Sequence, residues 1–139
     1  MYKPFIATLL LLASAGSANA ANWPLEIIDH LDETKIVVYV KEADIERAPA
    51  WNPEAGAPPF TLGDLLRSVS EWEKKNAGVT RASIRKIELK PILHHEKQGR
   101  WYYLVQLREQ REGKAADRYL AVLMNGTMAA AIAEPASYK

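Results

Sequence analysis

Alternation of apolar and polar residues in the second half of the chain most constrains what it can fold into. Apolar residues fill every second position in residues 86–91 and again in residues 101–108. A period of two residues is that of a β-strand with one apolar face. The segments that follow these runs, 93–100 and 109–117, are short and polar, so the strands are predicted to be antiparallel neighbours.

An Asn-Gly pair marks a further hairpin. Asn125 and Gly126 stand between the apolar run 119–124 and a second run, 127–132. Asn-Gly between apolar runs favours a type I′ turn, in which both central residues take a positive φ. The last two strands are therefore predicted to pair through this turn, and the segment from residue 134 onward is predicted to be frayed.

Residues 61–77 have the pattern of one amphipathic helix. Thr61 is placed to cap its start, and Asp64 stands three positions on, as in a capping box. Leu62, Leu65, Leu66, Val69 and Trp72 recur at helical spacing and form one apolar stripe. Gly78 is placed to end the helix. A helix with one apolar stripe is predicted to lie on a sheet.

The first part of the chain contributes two strands and a loop. Residues 25–28 and 35–40 are rich in β-branched residues and are predicted to form a short antiparallel hairpin. Four prolines interrupt residues 41–60, so a Pro-rich loop without a long regular element is expected there. Trp51 and Phe60 either pin this loop to the core or present a binding surface.

The predicted fold class is α+β, with one amphipathic helix packed on a curved antiparallel sheet of about five to six strands. The helix, the segment IRKIEL at 84–89, the aromatic strand WYYLV at 101–105 and the segment LMNGTM at 123–128 resemble the PepSY family over about residues 61–132. That resemblance implies a small exported regulatory or binding module without catalytic residues, of a kind sometimes proposed to restrain peptidases. The strand order is also similar to the cystatin fold, but the inhibitory Q-x-V-x-G loop is not found at 105–108.

The first twenty residues are typical of a cleaved signal peptide. Lys3 precedes an apolar run at 5–12, and Ala18–Asn19–Ala20 is an A-x-A cleavage site. The run is too short for a membrane span, which takes about 20 apolar residues. Residues 21–139 are then expected to form one domain in the periplasm or outside the cell, without a membrane span. The chain has no cysteine, so its stability must come from an apolar core rather than from disulfides.

Charge and motifs exclude several classes of function. Residues 21–80 are acidic and residues 81–118 are basic to the same extent, so these two segments cancel, and the whole chain has a formal net charge of +1. Basic residues interleaved with acids do not favour nucleic acid as a partner. His94 and His95 are adjacent and are interpreted as solvated turn residues rather than metal ligands, although they could titrate near neutral pH. No catalytic motif, metal site or cofactor site is found, so an enzyme is not expected.

Aromatic and charged residues provide the candidate binding site. Tyr102 lies beside charged neighbours and is predicted to be hard to bury, so it is placed on an outer sheet face with Arg100 and Arg108. Trp51 in the Pro-rich loop completes the predicted surface. The leading hypothesis is a non-catalytic binding or regulatory module for a protein, peptide or envelope component, itself a monomer or weak dimer. Alternatives are a small-ligand carrier with a helix–sheet pocket lined by Trp72, Tyr103 and Leu107 and, less favoured, a hydrolase.

Overall fold

A computed structural model describes residues 22–29, 34–76 and 78–135 of the chain. The predicted signal peptide, residues 1–20, lies outside the described residues. The regular elements are β1 (Asn22–Asp29), β2 (Thr34–Lys41), α1 (Glu42–Arg47), a 3₁₀ turn (Pro53–Ala55), α2 (Leu62–Lys75), β3 (Val79–Pro91), a second 3₁₀ turn (Glu96–Gln98), β4 (Trp101–Arg111), β5 (Lys114–Leu123), β6 (Met128–Ala130) and β7 (Ile132–Pro135).

The strands form two antiparallel sheets, which gives the protein an α+β fold. Sheet 1 has the order β1-β2-β7, and sheet 2 has the order β3-β4-β5-β6. The prediction of one sheet of five to six strands therefore differs from the structure. The physical reason lies at Ala131, where the last strand bends: residues 128–130 pair with β5, whereas residues 132–135 pair with β2. One run of sequence thus serves as the edge strand of both sheets.

The turns explain how the strands are joined. The hairpin between β1 and β2 is as predicted. Between β4 and β5, Glu112 and Gly113 have φ values of 51° and 75°, the positive φ at both positions that a type I′ turn needs. At Asn125–Gly126 only Gly126 has a positive φ, 86°. That hairpin forms as predicted, but it closes through a three-residue loop, with the Leu123 N–H donating to Thr127 O at 2.9 Å.

Helix α2 packs on one face of sheet 2. Thr61 and Asp64 form the predicted capping box, with the Thr61 N–H donating to Asp64 Oδ2 at 3.0 Å. Leu65 and Val69 are buried against sheet 2. The buried sheet residues in this cluster are Tyr103, Val105, Leu107, Leu120, Val122 and Met124. Of the predicted apolar stripe, Leu65, Val69 and Trp72 thus pack in this cluster, whereas Leu62 and Leu66 are exposed.

Sheet 1 and α1 cover the opposite face of sheet 2. Leu25, Val38 and Val40 of sheet 1 and Ile45 of α1 share a second buried cluster with residues of β4 and β5. Tyr102 belongs to this cluster and is only 2% exposed. Its predicted place on an exposed outer face is therefore wrong, because a second layer covers the face that the sequence pattern left open.

The Pro-rich segment is more regular than predicted. The first proline is Pro49, so residues 42–47 are free to form the helix α1. Pro53 begins the 3₁₀ turn, where its missing N–H costs nothing. Phe60, at the end of the segment, packs against the α2 cluster, and its carbonyl accepts a 2.7 Å hydrogen bond from the Tyr103 hydroxyl. The segment is thus held to the core near its C-terminal end.

Candidate functional site

The connection between β3 and β4, residues 92–100, is a hydrogen-bonded turn rather than a loose loop. The Ile92 N–H donates to Arg100 O at 2.9 Å, and the Gly99 N–H donates to Glu96 O at 3.0 Å. His94 has a φ of 67°, in the left-handed region that non-glycine residues rarely occupy. This backbone leaves Leu93 and His94 exposed at the tip of the connection.

Helix α1 follows β2 directly and brings a carboxylate to this connection. Glu42, its first residue, accepts a contact of 2.6 Å from His95 Nε2 through Oε1. His95 Nδ1 lies 3.1 Å from the Leu93 carbonyl oxygen. Because a carbonyl only accepts, Nδ1 must donate, and with the carboxylate ionised Nε2 donates as well. The imidazolium form of His95 therefore satisfies both contacts at once.

The electrostatics agree with this assignment. The hydrogen bond that His95 donates to Glu42 is the largest cause that raises the pKa of His95 above its ordinary value, and it outweighs the desolvation that would lower this pKa. The second Glu42 oxygen, Oε2, is buried without a hydrogen-bond partner among the described residues. An unpaired buried oxygen costs free energy, so pairing with a charged histidine offsets part of the cost of placing Glu42 here. His95 is consequently not the solvated turn residue that the sequence suggested.

An apolar pocket lies beside this pair. Its volume is about 260 Å³, and its wall is formed by Pro24, Leu25, Glu42, Ile45, Ile92, Leu93, His94 and His95. Leu25, Ile45 and Ile92 are buried and belong to the core. Leu93 at the rim is 66% exposed, the highest value among the exposed large hydrophobic residues described. We call this cavity the α1 pocket.

Trp51 contacts the C-terminal end of the same connection. Its indole contacts Trp101 edge to face, with ring centroids 5.3 Å apart, and its Nε1–H donates to Gly56 O at 3.1 Å. Its main-chain N–H donates to Gly99 O at 2.9 Å. A Cβ at residue 99 would lie 3.0 Å from the Trp51 carbonyl oxygen, so glycine at 99 lets the two segments meet. Trp51 therefore fixes the Pro-rich segment while keeping part of its surface in solvent.

The remaining predicted site residues do not form one surface. Arg100 lies at the same end of the molecule as Trp51 and donates from Nη1 to the Ala48 carbonyl oxygen. Arg108 is eight residues further along β4, roughly 26 Å away at the rise of an extended strand, where it pairs with Asp117 at 3.0 Å. Tyr102 is buried. The structure thus brings together Trp51 and Arg100 but not Tyr102 or Arg108.

Two residues of the α1 pocket were missed by the sequence reasoning. Leu93 stands next to two histidines in a segment interpreted as a polar turn. An apolar residue in a polar turn could have indicated a binding residue. Glu42 gave no signal, since it is far from His95 in sequence and only tertiary packing brings them together. Trp72, Tyr103 and Leu107, which were predicted to line a helix–sheet pocket, pack in the apolar cluster under α2.

Within the parts of the chain that the structure describes, no group of three or more His, Asp or Glu side chains is arranged to hold a metal ion. Over residues 22–29, 34–76 and 78–135, neither α-helix has the length and apolar character needed to cross a membrane. In comparisons with known proteins, no family model, curated protein or solved structure matches the chain.

Proposed function

We propose that the protein is a non-catalytic, exported binding or regulatory module of PepSY-like type that recognises a protein or peptide in the cell envelope through the α1 pocket. The observation that carries the proposal is the exposed Leu93 at the rim of an apolar cavity. Export rests on the N-terminal sequence, and the regulatory role on the family resemblance. The pocket supplies the recognition surface.

The size of the pocket favours one side chain over a whole small-molecule ligand. Sites for small molecules are usually about 300–1,000 Å³, and the α1 pocket holds about 260 Å³. A single leucine or phenylalanine side chain fits a cavity of this size. Burying such a side chain contributes about 1.5–3 kcal/mol, which makes the pocket an anchor point within a larger contact.

Charged and aromatic groups around the same connection provide the rim of this contact. The His95–Glu42 pair forms part of the pocket wall, and Trp51 and Arg100 lie at the C-terminal end of residues 92–100, outside the pocket lining. Polar groups around an apolar centre are the usual arrangement of a protein recognition surface. The proposed surface therefore keeps Trp51 and Arg100 from the sequence prediction and replaces Tyr102 and Arg108 by Leu93, His95 and Glu42.

Site-specific photocrosslinking in living cells tests this function. A photoreactive residue replaces Leu93 in the full-length chain, and a matched variant carries it at Leu66, an exposed apolar residue on α2 at the opposite face of sheet 2. We expect a discrete crosslinked partner from position 93 and none from position 66. With the purified partner, Leu93→Asp should weaken binding at least about tenfold, the loss of roughly 1.4 kcal/mol.

Two results contradict the proposal. Equal crosslinking from both positions would show that capture does not depend on the pocket. An unchanged affinity of Leu93→Asp for the purified partner, beside an equally unchanged Leu66→Asp control, would place recognition elsewhere on the molecule.

A further inference from the structure

A second cavity lies between the two sheets at their shared corner. It holds about 400 Å³ and is lined by Ala116, Asp117 and Tyr119 on β5 and by Ile36 and Ile132 of sheet 1, among others. We call it the β5 groove. Among the described residues, β6 pairs only with residues 120–122 of β5, so no strand of the described chain covers the edge of β5 over residues 114–118. The groove runs along this edge.

Two hydrogen bonds give the direction of the main-chain groups at this edge. Tyr119 O accepts from the Ala131 N–H at 2.9 Å, and the Leu123 N–H donates to Thr127 O at 2.9 Å. Both bonds point from odd-numbered residues toward the β6 side. Because main-chain groups alternate along a strand in an antiparallel ladder, Ala115 and Asp117 also turn their N–H and C=O groups to that side, toward the open edge of β5.

The edge of β5 is regular, unlike two other edges of the sheets. The pairing of β4 with β5 runs from Tyr102↔Leu123 to Arg111↔Lys114 without a register shift. β3 carries two shifts and β1 carries one, and such irregularities interrupt the spacing of edge groups and protect an edge from pairing. The β5 edge therefore retains the even spacing that another strand requires.

Side chains of β5 next to the groove are held toward β4. Asp117 pairs with Arg108 at 3.0 Å, and Arg118 pairs with Glu109 at 3.2 Å. Glu109 is buried, so the Arg118 pair is anchored in the protein. Ile132 on the far wall is 51% exposed. The groove thus combines directed main-chain groups on one wall with apolar surface on the other.

We propose that the β5 groove binds an extended segment of another polypeptide by adding it as a strand next to β5. Strand addition of this kind draws affinity from main-chain hydrogen bonds and selectivity from alternate side chains. Odd-numbered residues of β5 face sheet 1, as Tyr119 and Ala121 do, so peptide residues opposite Ala115 and Asp117 would lie toward Ile36 and Ile132 and should be apolar. A residue opposite the exposed Lys114 should be acidic.

A second copy of this chain fits the edge less well. In an antiparallel pairing of β5 from two copies that uses both Ala115 and Asp117, Ala115 of one copy stands opposite Asp117 of the other. Lys114 would then face Arg118, and like charges directly opposite destabilise a pair of strands. The charges of the edge therefore favour a different chain with an acidic residue over self-association.

The test measures binding of a synthetic peptide by calorimetry. The probe is a capped peptide of alternating valine and threonine that ends in glutamate, and the protein is the mature chain. The decisive variant is Ala115→Pro, which removes an N–H directed toward the open edge of β5 and leaves the hydrogen bonds to β4 in place. We expect it to weaken binding at least about tenfold, whereas Ala115→Val, which keeps the N–H, should bind as the unmodified protein does.

A charge exchange provides a second test of the binding that does not use a proline variant. Lys114→Glu should lose affinity for the glutamate peptide and regain it for the matching lysine peptide. Leu93→Asp should leave this binding unchanged, which separates the β5 groove from the α1 pocket. No measurable binding of the peptide, equal binding by Ala115→Pro, or a change in self-association alone would overturn the proposal.

Discussion

The His95 imidazole contacts an acceptor at each ring nitrogen, the Leu93 carbonyl at Nδ1 and the Glu42 carboxylate at Nε2. A neutral ring carries only one N–H and satisfies only one of these acceptors as a donor. The second proton therefore stabilises the contact with α1. At the scale of the residue, a proton is part of what holds the α1 pocket together.

The pKa of His95 is expected to depend on Glu42. Glu42→Gln removes the charged partner, so the pKa should fall toward the ordinary value of about 6.5. Because folding raises this pKa, the stabilisation is complete below about pH 6.5 and is lost as pH rises through the folded-state value. NMR titration of the His95 ring measures the shift, and denaturant unfolding at acid and alkaline pH measures the stability.

A neighbouring glutamate provides the control for this titration. Glu46 is exposed on the same helix, and Glu46→Gln should leave the His95 titration where it is in the unmodified protein. If Glu42→Gln and Glu46→Gln shift the His95 pKa equally, the contact at 2.6 Å does not determine the protonation of His95.

At the scale of the element, α2 is the part of the fold that local sequence specifies most completely. Thr61 and Asp64 satisfy main-chain groups at its start, and hydrogen bonds from Thr61 are the largest cause that lowers the pKa of Asp64. Leu65, Val69 and Trp72 of the apolar stripe then pack on sheet 2. Both signals lie within a few residues of one another, so no distant contact is needed to interpret them.

Removing the cap should weaken the protein measurably. Thr61→Ala removes the acceptor for the Asp64 N–H and should lower the free energy of unfolding by about 1 kcal/mol. Thr61→Ser should retain most of this stabilisation, since the hydroxyl remains. Ser70→Ala, at an exposed position of the same helix, is the matched control and should change stability by no more than about 0.5 kcal/mol. Equal losses from Thr61→Ala and Ser70→Ala would contradict a capping role.

At the scale of the whole molecule, sheet 2 lies between two layers. Helix α2 covers one face, and sheet 1 with α1 covers the other. The bend at Ala131 connects the layers and leaves the β5 groove beside it. Both proposed binding sites lie where the two sheets or their connections meet, so each depends on the assembly of the layers.

The proposed export also concerns the whole chain, and it has a direct test. We expect cleavage between Ala20 and Ala21 when the full-length protein is produced in a bacterial host, because an A-x-A sequence follows the apolar run. Mass spectrometry of the protein recovered from the periplasmic fraction measures its N-terminus. Ala18→Leu together with Ala20→Leu should block cleavage. An intact N-terminus on the unmodified chain in the cytoplasm would contradict the proposed location.

Local patterns determined most of the elements of this protein, with the exception of α1, which lies in a segment predicted to be a loop. The β1–β2 hairpin, the limits of α2, the alternation in β3 and β4 and the hairpin at Asn125–Gly126 all follow from residues close together in sequence. The prediction of turn type was less accurate. The type I′ turn falls at Glu112–Gly113, since strand pairing there leaves only two residues for the connection. The predicted polar turn at 109–117 is accordingly mostly strand.

Tertiary structure alone decided what covers each face and which distant groups meet. Alternation assigns Tyr102 to one side of β4, but only the presence of sheet 1 shows that this side is buried. The Glu42–His95 contact joins residues 53 positions apart, and the division of the last strand between two sheets depends on partners at β2 and β5. Local sequence fixes backbone preference and side-chain direction, whereas burial and pairing depend on surfaces that come together only when the whole chain folds.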